Sequence, residues 1–339
     1  MKKRPLILSI CLIIAGIAIC LIALVSCASP IEKIANDQLK TENYEITDSF
    51  TALDFSDEAG GYDVVIKRSN SDKTEIEFRG HKKESISYEI TDGTLSVKTE
   101  VTEKKSWYEW IGIDLEYCVV LKLSESEYEK LSIIGSSGDV TVSDFAFDEV
   151  DFSLSSSDVE LTSVRSASTK IILASGDLEI ENCELGSYSQ ILSSGDTEIE
   201  KSKFTSLTIE SSSGDVEIND STAESIDIVS KSGDINIRSL GENRTCSIKC
   251  TSGSITLGNV ISDEMKFEAS SGDVRLNSCD AKNIESDTSS GDFKASLLSP
   301  KIFDLRAISG NIIAPETTVC EEICRVRTSS GDIEITIKN

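Results

Sequence analysis

The stretch Ser212-Ser213-Gly214-Asp215-Val216-Glu217-Ile218 decides the fold of this chain. It joins a turn-forming Ser-Gly-Asp to a run in which apolar and polar residues alternate. The pattern recurs with its glycine at Gly138, Gly176, Gly195, Gly214, Gly233, Gly253, Gly272, Gly291, Gly310 and Gly331, and Ser157 occupies the equivalent place in one repeat. Nearly every step is 19 residues; the exceptions are the steps into Gly253 and Gly331. A constant period near 20 is the mark of stacked supersecondary units.

Aligned on the glycine, apolar residues form columns. Seven residues before it stand Leu131, Val150, Leu207, Ile226, Met265 and Ile284, and five before it Ile133, Phe152, Ile171, Ile209, Ile228 and Phe267. Two residues after it come Val140, Val159, Leu178, Val216, Ile235 and Val274, and four after it Val142, Leu161, Ile180, Ile199 and Ile218. A further column seven after it includes Phe145, Val164 and Cys183. Spacing of two puts side chains on one face of a strand. Three short faces per repeat predict one coil, and coils stacked by parallel pairing rise about 4.8 Å each. The expected fold is all-β: a single-stranded parallel β-solenoid (β-helix) of about 19-residue coils, preceded by an N-terminal membrane-anchoring segment. Residues 128–339 form the regular stack of eleven Ser-Gly-Asp repeats, and residues 44–127 form irregular β-rich capping coils.

The acid after the glycine has two readings. A short polar side chain at a turn accepts hydrogen bonds from nearby amides, which accounts equally for Ser254 and Asn311 in that column. Alternatively Asp177, Asp196, Asp215 and Asp234 form a Ca²⁺ ladder, because like charges stacked at strand spacing repel one another. No other cofactor is expected.

Upstream, Lys2, Lys3 and Arg4 precede an uncharged apolar run of 20 residues, Leu6 to Val25, followed by Ser26-Cys27. Such a run is long enough to span a bilayer, and its basic flank stays in the cytoplasm. Residues 1–27 are a retained signal anchor, or a lipoprotein signal peptide in which Leu24-Val25-Ser26-Cys27 presents Cys27 for acylation. Both readings give an extracytoplasmic protein tethered to the bacterial cell membrane through its N-terminus. Residues 28–43 are a short linker, helix or stalk.

The net charge of −26 disfavours nucleic acid as a partner. Both tryptophans lie in Trp107-Tyr108-Glu109-Trp110. Trp107, Tyr108 and Trp110 suit a sugar or interfacial ligand, or plug the end of the core. Seven cysteines follow the membrane segment. Most occupy core columns, where a free thiol behaves as a small hydrophobe; only Cys320 and Cys324 are placed to pair. The single histidine, His81, stands in an expected loop with no nucleophile motif beside it, and Asp273 with Arg275 is an ordinary surface pair. The chain is therefore read as a non-enzyme; a carbohydrate-active enzyme or a Ca²⁺-dependent stalk is the weaker alternative.

The Ser-Ser-Gly-Asp-Val repeat, Asp92-Gly93-Thr94-Leu95-Ser96-Val97, the strand Leu115–Leu123 and the basic-then-apolar N-terminus resemble the bacterial DUF4097 family. The resemblance implies a β-strand repeat protein described as an adhesin, and some members lie beside envelope-stress signalling systems. It brings no catalytic residues. Function is accordingly read as binding, adhesion or scaffolding at the cell surface toward a cell-wall polymer or surface protein; the alternative is an accessory or sensory role in envelope stress. The chain ends in the strand Ile333–Lys338 with no polar cap. An open edge there predicts end-to-end self-association.

Overall fold

The structure, a computed structural model, describes residues 39–103, 117–241, 243–317 and 320–338. The described residues are all β and contain no helix. From residue 127 onward they wind into a parallel solenoid of about 11 turns. Each coil contributes a long strand, such as Thr222–Ser232, and a four-residue strand, such as Ile235–Arg238. In the regular coils the long segments stack on long and the short on short, mostly 19 residues apart, as in Val150↔Thr169 and Leu161↔Ile180; Val274–Ser290 runs through both ladders as one strand. The three faces expected are thus built from two ladders, the longer one kinked. In Ala146–Ser156 the buried positions step by three from Phe147 to Val150 and by two thereafter, and the pairing skips Asp148 at that step.

Two corners close each coil. At the first, the glycines from Gly138 to Gly331 have φ between 102° and 154°, a region costly for any residue with a Cβ. Stacking adds a second demand. A Cβ on Gly214 would lie 1.9 Å from the carbonyl oxygen of Gly195 in the coil beneath. Ser157 fits the column because its φ is not positive. The second corner was not legible in the glycine pattern. It places Asp144, Ser163, Asn182, Lys201, Asp220, Ser239, Asn259 and Ser278 at φ of 48–66°, where Asn and Asp are tolerated better than most residues.

Between the ladders lies one continuous core, from Leu53 and Phe55 to Cys324 and Val326. One coil breaks its apolar columns with Tyr188, Gln190 and Thr197. All three are buried and satisfy one another: Tyr188 Oη donates to Gln190 Oε1 at 3.0 Å, and Gln190 Nε2 donates to Thr197 Oγ1 at 2.6 Å.

Both ends of the stack depart from chain order. The coil made of Ala52–Asp57 and Asp63–Arg68 lies directly below the coil beginning at Glu127. The coil made of Thr94–Val101 and Cys118–Leu123 lies below that. Antiparallel strands then close this end: Glu84–Thr91 on one ladder, and Thr74–His81 followed by Leu39–Ile46 on the other. The capping role expected of residues 44–127 is filled by antiparallel strands as well as coils. Residues 39–43, expected in the linker, belong to an edge strand, and His81, expected in a loop, is a buried strand end.

At the other end the last coil in sequence is not the last in space. Ile323–Ser330 pairs on one side with the strand containing Ile284 and on the other with Ile302–Ser309. Likewise Ile333–Ile337 sits between Phe293–Leu297 and Ile312–Ile313. The open edge expected at Ile333–Lys338 is therefore covered on its outer side at Ile333 and Glu334, and the outermost long strand is Ile302–Ser309. The return is pinned by Lys301, which is fully buried and ion-paired to Asp280 at 2.5 Å and to Glu322.

Two measurements check this arrangement. Gly214→Ala is expected to lose on the order of 3 kcal/mol in chemical denaturation, whereas Lys201→Asn at the second corner changes stability by only about 0.5 kcal/mol. The Glu322 carboxyl is held below its ordinary value, chiefly by the hydrogen bond from Lys301. A depressed carboxyl stabilises the fold above its unfolded pKa near 4.3, and that contribution is lost as pH falls through the lower folded value. The protection of the Ile302–Ser309 amides, taken relative to their intrinsic exchange rates at each pH, is therefore expected to fall at acid pH, and Glu322→Gln to flatten this dependence.

Candidate functional site

The aspartate column turns out to be an inter-coil staple. Asp215 donates its backbone N–H to Asp196 Oδ1 at 2.8 Å, Asp196 donates to Asp177 at 2.8 Å, and Asp234 donates to Asp215 at 2.7 Å. The series begins with Asp139 on Asp63 and follows the spatial order at the far end, where Asp332 donates to Asp292 and Asn311 to Asp332. Ser254 receives no such bond from Asp273, because its hydroxyl is shorter than a carboxylate arm. One oxygen of Asp177, Asp196, Asp215 and Asp234 is thus committed to an amide of the next coil. Among the described residues no three His, Cys, Asp or Glu side chains converge as metal ligands.

A trough runs along the flank where the long strands kink. One depression, of about 650 Å³, is lined by Arg165, Glu184, Lys203 and Glu224 over Phe147, Phe204 and Ala223. A second, of about 530 Å³, continues from Glu224 past Arg244, Asp263 and Lys282 to Glu322. The kink makes the trough: two consecutive side chains face outward there, and the backbone beneath is tight. A Cβ on Gly186 would meet the Ala167 carbonyl oxygen at 2.6 Å. The rim charges pair between coils, Lys203 with Glu184 at 2.9 Å, Arg244 with Glu224 at 3.6 Å and Lys282 with Asp263 at 2.6 Å. All six side chains are more than half exposed, so their pairs are weak and separate at little cost. These residues were missed in the sequence. The available signal was the column ten before the glycine, Phe147, Leu185, Phe204 and Ala223, which marks the kink.

The remaining candidates are dispersed. Trp107, Tyr108 and Trp110, together with Cys27, lie outside the described residues. The nearby core end is filled by Tyr62, stacked on Phe78 at 5.3 Å and on Tyr117 at 5.5 Å. Arg275 is ion-paired to Asp273, whose other oxygen accepts the amide of Asp292, so this pair serves the coil. Cys320 and Cys324 are both free thiols, as are Cys183, Cys246, Cys250 and Cys279. Burial pushes the Cys246 and Cys324 thiols up to about 12 and Cys183 to about 11. Among the described residues no helix is long and apolar enough to cross a membrane; the run Leu6–Val25 lies outside them.

The DUF4097 profile, described as Toastrack, matches residues 50–250 and 242–339. The chain belongs to the DUF4097 family. No protein of curated function matches it. Several crystal structures are similar. A Parabacteroides merdae protein named "putative adhesin" shares 14% identity over 88% of this chain and 97% of its own, with a TM-score of 0.33. A "putative lipid binding protein" from Parabacteroides distasonis shares 16% identity over 88% and 97%, with a TM-score of 0.34. A "putative adhesin" from Bacteroides fragilis shares 14% over 88% and 96%, with a TM-score of 0.29.

Asp215→Ala is expected to lower Tm by about 2–4 °C, while Asp215→Asn, which keeps an acceptor oxygen, stays near the parent. Adding EDTA or millimolar Ca²⁺ is expected to leave both shifts unchanged; a large Ca²⁺-dependent rise in the parent alone would restore the metal-ladder reading. In thiol labelling of the folded protein at pH 8, part-exposed Cys320 is expected to react, and Cys183, Cys246, Cys250, Cys279 and Cys324 only after denaturation.

Proposed function

We propose that this chain is an extracytoplasmic binding module, tethered to the cell membrane through its N-terminus, that holds a cell-wall polymer or surface protein along the flank trough. The observation that carries the reading is the continuity of the two depressions. They share Glu224 and run across successive coils, so an extended ligand meets the same geometry at each coil. Charges of both signs on the rim suit a ligand that carries both, as a peptide-bearing wall glycan does. The tether rests on Lys2, Lys3, Arg4 and the apolar run to Val25, retained as a helix or replaced by a lipid on Cys27.

The test is co-sedimentation of the purified protein with isolated cell-wall sacculi. The parent is expected to bind. Lys203→Glu with Lys282→Glu, both exposed, is expected to bind at least fivefold more weakly with unchanged Tm. Equal binding by parent and variant, or no binding by either, contradicts the trough as the site.

A further inference from the structure

The end of the stack far from the N-terminal cap is open. Among the described residues no strand pairs with the outer edge of Ile302–Ser309. Ile308 is 71% exposed, Ile313 64% and Ile312 45%, and Phe303 and Leu305 are only half-buried for want of a coil above them. The opposite end is finished differently: its edge strand Leu39–Ile46 carries the Lys40–Glu42 and Lys73–Glu45 ion pairs, and charge on an edge blocks further pairing. Among the described residues the charged edge at Leu39–Ile46 and the apolar edge at Ile302–Ser309 thus differ in what they offer another strand.

The sequence of that edge is complementary to itself. Set antiparallel to its own copy about a two-fold axis through Leu305, the strand Ile302-Phe303-Asp304-Leu305-Arg306-Ala307-Ile308 places Asp304 opposite Arg306 and Ile302 opposite Ile308. Directly opposed residues in an antiparallel pair share a face. Phe303, Leu305 and Ala307 therefore continue the core into the second copy, while two Asp304–Arg306 pairs form outside. Arg306 is available for this: it makes no ion pair among the described residues, whereas Arg325 and Arg327, one coil below, both reach Asp304. We propose that the partner of this edge is a second copy of the chain, docked tail to tail by antiparallel pairing of Ile302–Ser309. Backbone pairing supplies affinity and the alternating side chains supply register.

In such a dimer the two Leu39–Ile46 strands lie at opposite ends of the doubled stack. The pairing then joins two membranes rather than two neighbours on one. This consequence, unlike the dimer itself, rests on the tethered-module reading above.

The experiment uses the full chain in detergent micelles. Sedimentation of the parent is expected to show concentration-dependent dimers, and Ile308→Lys with Ile313→Lys is expected to weaken association at least tenfold. These side chains point to solvent, so the Tm of the monomer should hold. Opposed Cα atoms in the pair fall within disulfide reach. Leu305→Cys should therefore cross-link to twice the monomer mass on mild oxidation, beyond any background from Cys320 in the parent, and the two lysine substitutions should abolish the cross-link. A monomer at all concentrations without a Leu305→Cys cross-link overturns the proposal, as does a lysine variant that dimerises like the parent. Lys203→Glu with Lys282→Glu should dimerise normally, so failure of the trough and failure of the dimer are read separately.

Discussion

Each coil touches the coil beneath it most closely at a glycine. The Gly214 Cα sits where a Cβ would collide with the Gly195 carbonyl oxygen, and the next residue donates its amide to the aspartate below. These contacts fix the rise and register of the coils together. Once the corner is fixed, the apolar positions two and four residues after it, and five and seven before it, stack on their equivalents, and the core follows as a column of like on like. A solenoid stabilised by nearest-neighbour contacts of this kind needs no long-range packing to specify it.

The same corner explains the acidic surface. An acid stands at every coil but those of Ser254 and Asn311, and its oxygen ties the next amide. Stacked carboxylates repel, but in the regular coils one oxygen accepts a backbone N–H from the next coil. The carboxylates are thus part of the scaffold, while the features suited to recognition lie elsewhere, in the kink of the long strand and at the open terminal edge.

Much of the coil was legible in the sequence. The glycine column, the apolar columns around it and the free, buried cysteines follow from a 19-residue period, because equivalent residues meet directly in a parallel stack. Three features were not legible for physical reasons. The second corner uses Asn, Asp, Ser and Lys in a left-handed conformation, so no single residue type marks it. The trough depends on a step of three inside a strand, which period-two reading passes over. The order of coils at the two ends is set by which strand edges meet, and spacing along the chain does not encode it; the 21-residue step into Gly331 was the only trace of the final reversal. Edge placement mattered most, since it made Ile302–Ser309, and not the last long strand in sequence, the outermost of its ladder.

The central claim is that the coils are locked by amide-to-carboxylate bonds at the glycine corner. Hydrogen exchange of the individual corner amides tests it directly. The amides of Asp158, Asp177, Asp196, Asp215 and Asp234 belong to exposed residues, yet each donates to the carboxylate one coil below. The Asp273 amide lies above Ser254 and has no carboxylate to meet. The account predicts slow exchange at the first five and fast exchange at Asp273. Uniformly fast exchange at all six would contradict it.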